Sequence, residues 1–84
     1  MVIDVERLQP GHTLELYISP ECPYCVKAME HYDRTGYPYR THDAQNDAAA
    51  RARMFAYTNN DPTVPAIVVD GDYVQSGWGR PPRG

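Results

Sequence analysis

The chain has only two cysteines, Cys22 and Cys25, and two residues separate them. Two positions drawn at random from a chain of 84 residues have this spacing in about 2% of cases, so the spacing is informative. A disulfide between them would close a very short loop and constrain little of the unfolded chain, so it would stabilise the fold poorly. The pair therefore favours redox chemistry, with metal binding, or a chance spacing of two inert buried cysteines, as the alternatives.

The residues on either side of the pair form a predicted strand and a predicted helix. Residues 13–19 are rich in strand formers, and Pro20, which follows them, marks the end of the predicted strand. Residues 23–34 begin with a proline, which suits the first helical turn, and Gly36 suits the end of the helix. Apolar residues recur at helical spacing along this segment: Cys25 or Val26, Met29 and Tyr32.

This position gives the first cysteine a chemical role. The first turn of a helix has free N–H groups and a partial positive charge, which stabilise a thiolate. We therefore expect Cys22 to be the nucleophile, with Pro23 stiffening the turn and the charge of Glu21 acting against the thiolate. Cys25 lies one turn further on, where it can attack a mixed disulfide formed at Cys22.

The rest of the chain continues the alternation of strand and helix. A strand is predicted over 37–42, a helix over 48–57, and two strands over 66–69 and 72–75. Asp70-Gly71 between the last two strands is a strong hairpin signal. The helix is expected to begin at Asn46 or Asp47, and one of its faces is expected to contain Ala48, Ala52, Phe55 and Ala56.

The element order predicts an α/β fold in which a parallel βαβ unit is followed by a β-hairpin. A chain of this length forms one small domain, 1–84, with a core over about 13–77 and a flexible tail over 78–84. Residues 1–8 have two possible roles. Val2, Ile3, Val5 and Leu8 could form an extra edge strand, or the segment could help to cover the sheet.

Charge and hydropathy exclude several classes of function. The net charge is −3, with 8 basic and 11 acidic residues, so a nucleic-acid or anionic-membrane partner is not expected. The apolar runs are far shorter than the ~18 residues of a membrane span. No signal peptide is visible at the amino terminus, so we expect a cytoplasmic protein. We also expect the protein to be a monomer.

A zinc site would need two of the three histidines in addition to the cysteines. His12, His31 and His42 form no pair at ligand spacing, so they are interpreted as surface groups and no metal is expected.

Two motifs together resemble a known family. Cys22-Pro23-Tyr24-Cys25 is typical of dithiol glutaredoxins, and Thr63-Val64-Pro65 resembles the Thr-Val-Pro motif of that family. The resemblance implies a compact thioredoxin fold and a thiol–disulfide oxidoreductase that reduces protein or glutathione mixed disulfides. It also implies glutathione as co-substrate and no tightly bound cofactor. The resemblance also implies a further helix after the hairpin, which is expected to be missing because the sequence stops where that helix would begin.

The resemblance further implies how substrate is held. Pro65 would follow a cis peptide bond, and the backbone of Val64 would pair with the backbone of the substrate, as in strand addition. The substrate- or glutathione-binding residues would be Tyr24, Thr63, Val64, Pro65, Ser76 and Gly77.

Other positions depart from the glutaredoxin pattern. Ser19 and Pro62 stand where glutaredoxins often have cations that meet the glutathione carboxylates. Three arginines are candidate replacements: Arg51, Arg53 and Arg80.

The stretch Ser76-Gly77-Trp78 is similar to NrdH-type redoxins, which implies an alternative in which thioredoxin reductase is the partner. Another alternative is an iron–sulfur-binding glutaredoxin that acts as a carrier. Trp78 is interpreted as a core or lid residue.

Overall fold

The computed structural model describes residues 3–84. They form one four-stranded sheet with the strand order β2-β1-β3-β4, in which β1 and β2 are parallel and the other neighbours are antiparallel. The predicted βαβ unit and hairpin are therefore confirmed. The elements are a short 3₁₀ helix (Val5–Arg7), β1 (Leu14–Ile18), α1 (Pro23–Thr35), β2 (Arg40–Asp43), α2 (Ala48–Thr58), β3 (Ala66–Val69) and β4 (Asp72–Ser76).

Each helix covers one face of the sheet. Because side chains alternate between the two faces along a strand, each central strand contributes buried residues to both helices. The α1 face buries Leu14, Leu16, Ile67 and Val69 with Ala28 and Tyr32 of the helix. The α2 face buries Tyr17, Ala66 and Val68 with Ala50 and Met54. The four residues of β3 are all buried, because this strand is central and covered on both faces.

The ends of α1 lie where the sequence predicts them. Cys22 is the N-cap, a proline follows in the first turn, and Gly36 ends the helix at φ 73°, where glycine adds no steric cost. Of the two alternatives for the apolar stripe, Cys25 is buried, whereas Val26 is 42% exposed. The hairpin is also confirmed, since Asp70 and Gly71 have φ values of 53° and 80°.

The predicted apolar face of α2 is wrong for its three alanines, whereas Phe55 is partly buried and packs against the residues of the α2 face. The buried residues are Ala50, Met54 and Thr58, and Ala48, Ala52 and Ala56 are exposed. The helix does begin after Asp47, one of the two predicted caps. Alanine occurs all around this helix, so the apolar pattern did not fix its rotation; the larger Met54 side chain turns toward the sheet instead.

The second strand begins later than predicted. The sequence favours a strand over 37–42, but β2 is Arg40–Asp43, and its pairing with β1 starts at Glu15 opposite Arg40. Tyr37 is used differently, because its hydroxyl donates to the Gln9 carbonyl at 2.6 Å. Pro38 has no N–H to give to a sheet.

The amino-terminal segment is not the edge strand that was one of the two expectations. Val2 lies outside the described residues, and Val5–Arg7 forms a 3₁₀ turn. Val5 is buried in the α1-face cluster, and the Tyr32 hydroxyl donates to the Val5 carbonyl at 2.7 Å. The second expectation, that this segment helps to cover the sheet, is confirmed.

The residues predicted to be a flexible tail fold back on the domain. Trp78 and Arg83 exchange two backbone hydrogen bonds of 2.7 and 3.0 Å, which close the intervening residues into a turn. Trp78 is 8% exposed and contacts His31 and Tyr32, so it is a core residue. The Arg80 guanidinium lies 2.8 Å from Asp4 and joins this turn to the amino-terminal segment.

Within residues 3–84, no helix has the length and apolar character needed to cross a bilayer.

Candidate active site

The Cys22 sulfur lies at the amino-terminal end of α1, after the loop that leaves β1. Its Sγ accepts a hydrogen bond from the Cys25 N–H at 3.2 Å, which is one of the otherwise free donors of the first turn. A donor of this kind stabilises negative charge on sulfur. Cys22 is largely buried, with 8% of its surface exposed, so only a small part of the residue is open to solvent.

Cys25 has a different environment although it is only three residues away. Its side chain is fully buried, and both cysteines are free thiols. Burial raises the pKa of the Cys25 thiol to about 12, and the hydrogen bond and charge of the Cys22 sulfur act in the same direction. The Cys25 thiol is therefore held in its protonated form.

The loop before β3 faces the Cys22 sulfur. The Val64–Pro65 peptide bond is cis, as the resemblance implied. The Val64 carbonyl accepts the Cys22 thiol at 3.6 Å, and the Thr63 N–H is held by the Asp61 carboxylate at 2.9 Å. Cys22 and Val64, which are far apart in sequence, therefore meet at the carboxyl end of β1.

The remaining predicted binding residues are Gly77, Ser76 and Tyr24, and they differ in how they relate to the site. Gly77 lies at the site, because its N–H donates to the Pro65 carbonyl at 2.7 Å. The Ser76 hydroxyl is instead paired with the Tyr73 hydroxyl at 2.7 Å. Tyr24 is half-buried on α1, with the Lys27 ammonium 5.1 Å from the centre of its ring.

Only one of the three candidate arginines lies beside Val64. Arg51 donates to the Gln45 carbonyl at 3.1 Å. It lines a groove of about 330 Å³. The other residues that line this groove include Ser19, Gln45, Phe55, Pro62 and Val64. Arg53 lies beside the Tyr17 hydroxyl, which raises the pKa of its guanidinium. Arg80 belongs to the ion pair with Asp4.

The histidines are engaged elsewhere. His12 Nδ1 lies 2.5 Å from the Asp70 carboxylate, His31 donates to the Glu6 carbonyl at 2.8 Å, and His42 lies 3.0 Å from the Glu15 carboxylate. In the described part of the chain, no three metal-ligating side chains come together.

The fold and the cysteine site define a thioredoxin-fold protein. With the thioredoxin-like protein BC3987 the chain shares 32% identity and a TM-score of 0.69, over 82% of this chain and 92% of that one. With buckwheat glutaredoxin in its glutathione complex the TM-score is 0.65 at 20% identity, over 77% and 61% of the two chains, which supports the fold alone.

The sequence relatives are more specific. The model of the family Glutaredoxin matches residues 14–74. A probable glutaredoxin of Synechocystis sp. is 28% identical over 61 residues, which cover 73% of this chain and 69% of that protein. The chain therefore belongs to the glutaredoxin family.

One set of residues near the site was missed by sequence reasoning. The backbone of residues 82–84 lies against Gly77 and Val64. No local pattern indicates this contact, because it depends on the turn that Trp78 and Arg83 close.

Proposed function

We propose that this protein is a thiol–disulfide oxidoreductase that reduces glutathione mixed disulfides and protein disulfides through Cys22 and Cys25. The observation that carries the proposal is the Cys22 sulfur at the start of α1, which accepts the Cys25 N–H and lies against the cis Val64–Pro65 bond. A dithiol of this kind works in a reducing compartment, so we place its activity in the cytoplasm.

The first step is the attack of the Cys22 thiolate on a substrate disulfide. A Cys22–substrate disulfide forms, the substrate's own S–S bond breaks, and one substrate sulfur leaves as a thiolate. Backbone pairing with Val64 holds the substrate in an extended conformation beside the Cys22 sulfur.

The second step uses Cys25. Once Cys22 is in the mixed disulfide, burial still raises the pKa of Cys25, but the hydrogen bond and charge of the Cys22 sulfur no longer add to this effect. Cys25 loses its proton and attacks the Cys22 sulfur; a Cys22–Cys25 disulfide forms and the second substrate sulfur leaves as a thiol. Two electrons have then passed from the protein to the substrate, and a reductant must return them.

Two reductants are considered. Glutathione fits the family, and the Arg51 guanidinium beside the Val64 groove is suited to a glutathione carboxylate. Thioredoxin reductase is the second candidate, favoured by the 32% identity to a thioredoxin-like protein over most of both chains.

The reductants are distinguished by two coupled assays of a glutathionylated peptide that follow NADPH consumption. One contains glutathione and glutathione reductase, and the other contains thioredoxin reductase. Activity in either assay that is lost in Cys22→Ser supports the oxidoreductase, and the active assay identifies the reductant. No activity in both, or activity that survives Cys22→Ser, contradicts the proposal.

A further inference from the structure

Residues 82–84 occupy the side of the active site that faces Val64. A Cβ atom built on Gly84 would overlap the Val64 carbonyl oxygen and lie 2.6 Å from Thr63 Cγ2. A Cβ built on Gly77 would lie 2.6 Å from the Arg83 nitrogen. Since real Cβ atoms are not found at such distances, this covering segment (residues 82–84) fits only because glycine stands at both positions.

The covering segment is anchored to the core. Arg83 is paired with Trp78 by two backbone hydrogen bonds, and Trp78 is buried with its ring centre 5.3 Å from that of His31 and 5.6 Å from that of Tyr32. The Arg80–Asp4 ion pair holds the turn from the other side. The segment therefore has a defined resting position next to Val64.

This position coincides with the place proposed above for the substrate backbone, beside Val64. The Val64 carbonyl that Gly84 contacts is the same atom that accepts the Cys22 thiol at 3.6 Å. Within residues 3–84 the Val64 N–H forms no hydrogen bond, so it is available to an entering strand. Cys22 itself is only 8% exposed.

We propose that the covering segment is a specificity filter: it screens Cys22 and must leave Val64 before a disulfide can react. This inference rests on the proposed function for the identity of the substrate. A disulfide that carries a peptide backbone replaces the lost contact by pairing with Val64, whereas a small disulfide without a peptide bond does not. The filter therefore favours peptide and glutathione disulfides over non-peptide disulfides such as cystamine.

The first test is alkylation of the reduced protein by iodoacetamide, with modification at Cys22 followed by mass spectrometry. In Gly84→Ala the new methyl group displaces the covering segment, and we expect the rate to rise by at least about threefold, because the accessible fraction increases. Gly11→Ala is the control: it adds the same methyl group at a glycine that has open space around it, at a φ of 99°. Its rate should equal that of the wild type.

The second test compares disulfides. Cystamine exchange should accelerate more in Gly84→Ala than glutathione disulfide exchange. In each reaction Cys22 attacks the disulfide and one thiolate leaves. In Cys25→Ser carrying glutathione on Cys22, the NMR heteronuclear NOE of the Gly84 amide should fall below that of the reduced protein. An alkylation rate equal to the wild type, or an unchanged NOE, overturns the filter.

These readouts separate the filter from the proposed function, because alkylation needs no disulfide exchange. If Gly84→Ala is alkylated faster but the wild type is inactive in both coupled assays, the covering role is supported and the oxidoreductase is rejected. Exchange activity with an unchanged alkylation rate would reject the covering role alone.

Discussion

Two cysteines three residues apart have different surroundings, and the roles proposed for them rest on this difference. Cys22 is predictable from sequence, because a cysteine between a strand and a proline that opens a helix is the N-cap. The complete burial of Cys25 also follows from the helical period of α1. The sequence does not predict that Arg51 rather than Arg53 lies beside Val64. This depends on which face α2 turns to the sheet, and the alanines on all sides of the helix leave that face undetermined.

Selective alkylation tests the difference between the two cysteines. Because burial raises the pKa of Cys25 to about 12, this thiol stays protonated and is a poor nucleophile at pH 8. We expect iodoacetamide to modify Cys22 alone in the native reduced protein and both residues in guanidinium. Equal modification of both cysteines under native conditions would show that Cys25 is not protected.

Arg51 and Arg53 form a matched pair of variants that tests the proposed binding of glutathione. Arg51→Gln should raise the KM for glutathione severalfold, because it removes a cation beside the Val64 groove, with little change in kcat. Arg53→Gln removes the same charge beside Tyr17 and should leave the KM unchanged. Equal effects of the two substitutions would mean that only net charge matters.

At the scale of the elements, helix ends were more predictable than helix faces. Gly36 and Asp47 act through their own backbone or nearest neighbours, so local chemistry was sufficient. The buried face of α2 and the start of β2 depend on partners far away in sequence. Tyr37, for example, contacts the loop before β1 instead of joining β2.

The cap of α2 gives a stability prediction. The Asp47 carboxylate accepts the Ala49 and Ala50 N–H groups at 3.0 and 3.2 Å. Asp47→Ala leaves these donors unpaired and should lower the free energy of unfolding by about 1 kcal/mol in urea titrations. Asp47→Asn keeps an acceptor and should be nearly neutral. A loss of the same size in both variants would assign the effect to charge instead of capping.

At the scale of the whole molecule, contacts between the two ends of the chain could not be predicted. Val5 and Trp78 are buried in the same cluster, and Arg80 is paired with Asp4. No local sequence pattern around these residues indicates that they contact one another. The structure of the two ends of the chain could therefore not be predicted from the sequence. The contact of the covering segment with Val64 has the same origin.

The hairpin and the loop before β1 are joined by a pH-dependent contact. The hydrogen bonds from His12 and from the Thr13 N–H lower the pKa of Asp70 below its usual value. A carboxyl whose pKa is lower in the folded state stabilises the fold above about pH 4 and loses this effect as the pH falls.

Urea titrations between pH 2.5 and 6 therefore test this contact. The free energy of unfolding should fall toward low pH, and Asp70→Asn should reduce this slope. Other carboxyls, Asp4, Asp43 and Asp61, also have lowered pKa values and maintain part of the slope. An identical slope in the variant would exclude Asp70 as a contributor.

The central claim is that Cys22 attacks and Cys25 resolves, and intact-mass analysis after reaction with glutathione disulfide tests it most directly. The wild type should lose two hydrogens as the Cys22–Cys25 disulfide forms. Cys25→Ser should retain one glutathione on Cys22, and Cys22→Ser should remain unmodified. Glutathione bound to Cys25 in Cys22→Ser, or no reaction in the wild type, would contradict the dithiol mechanism.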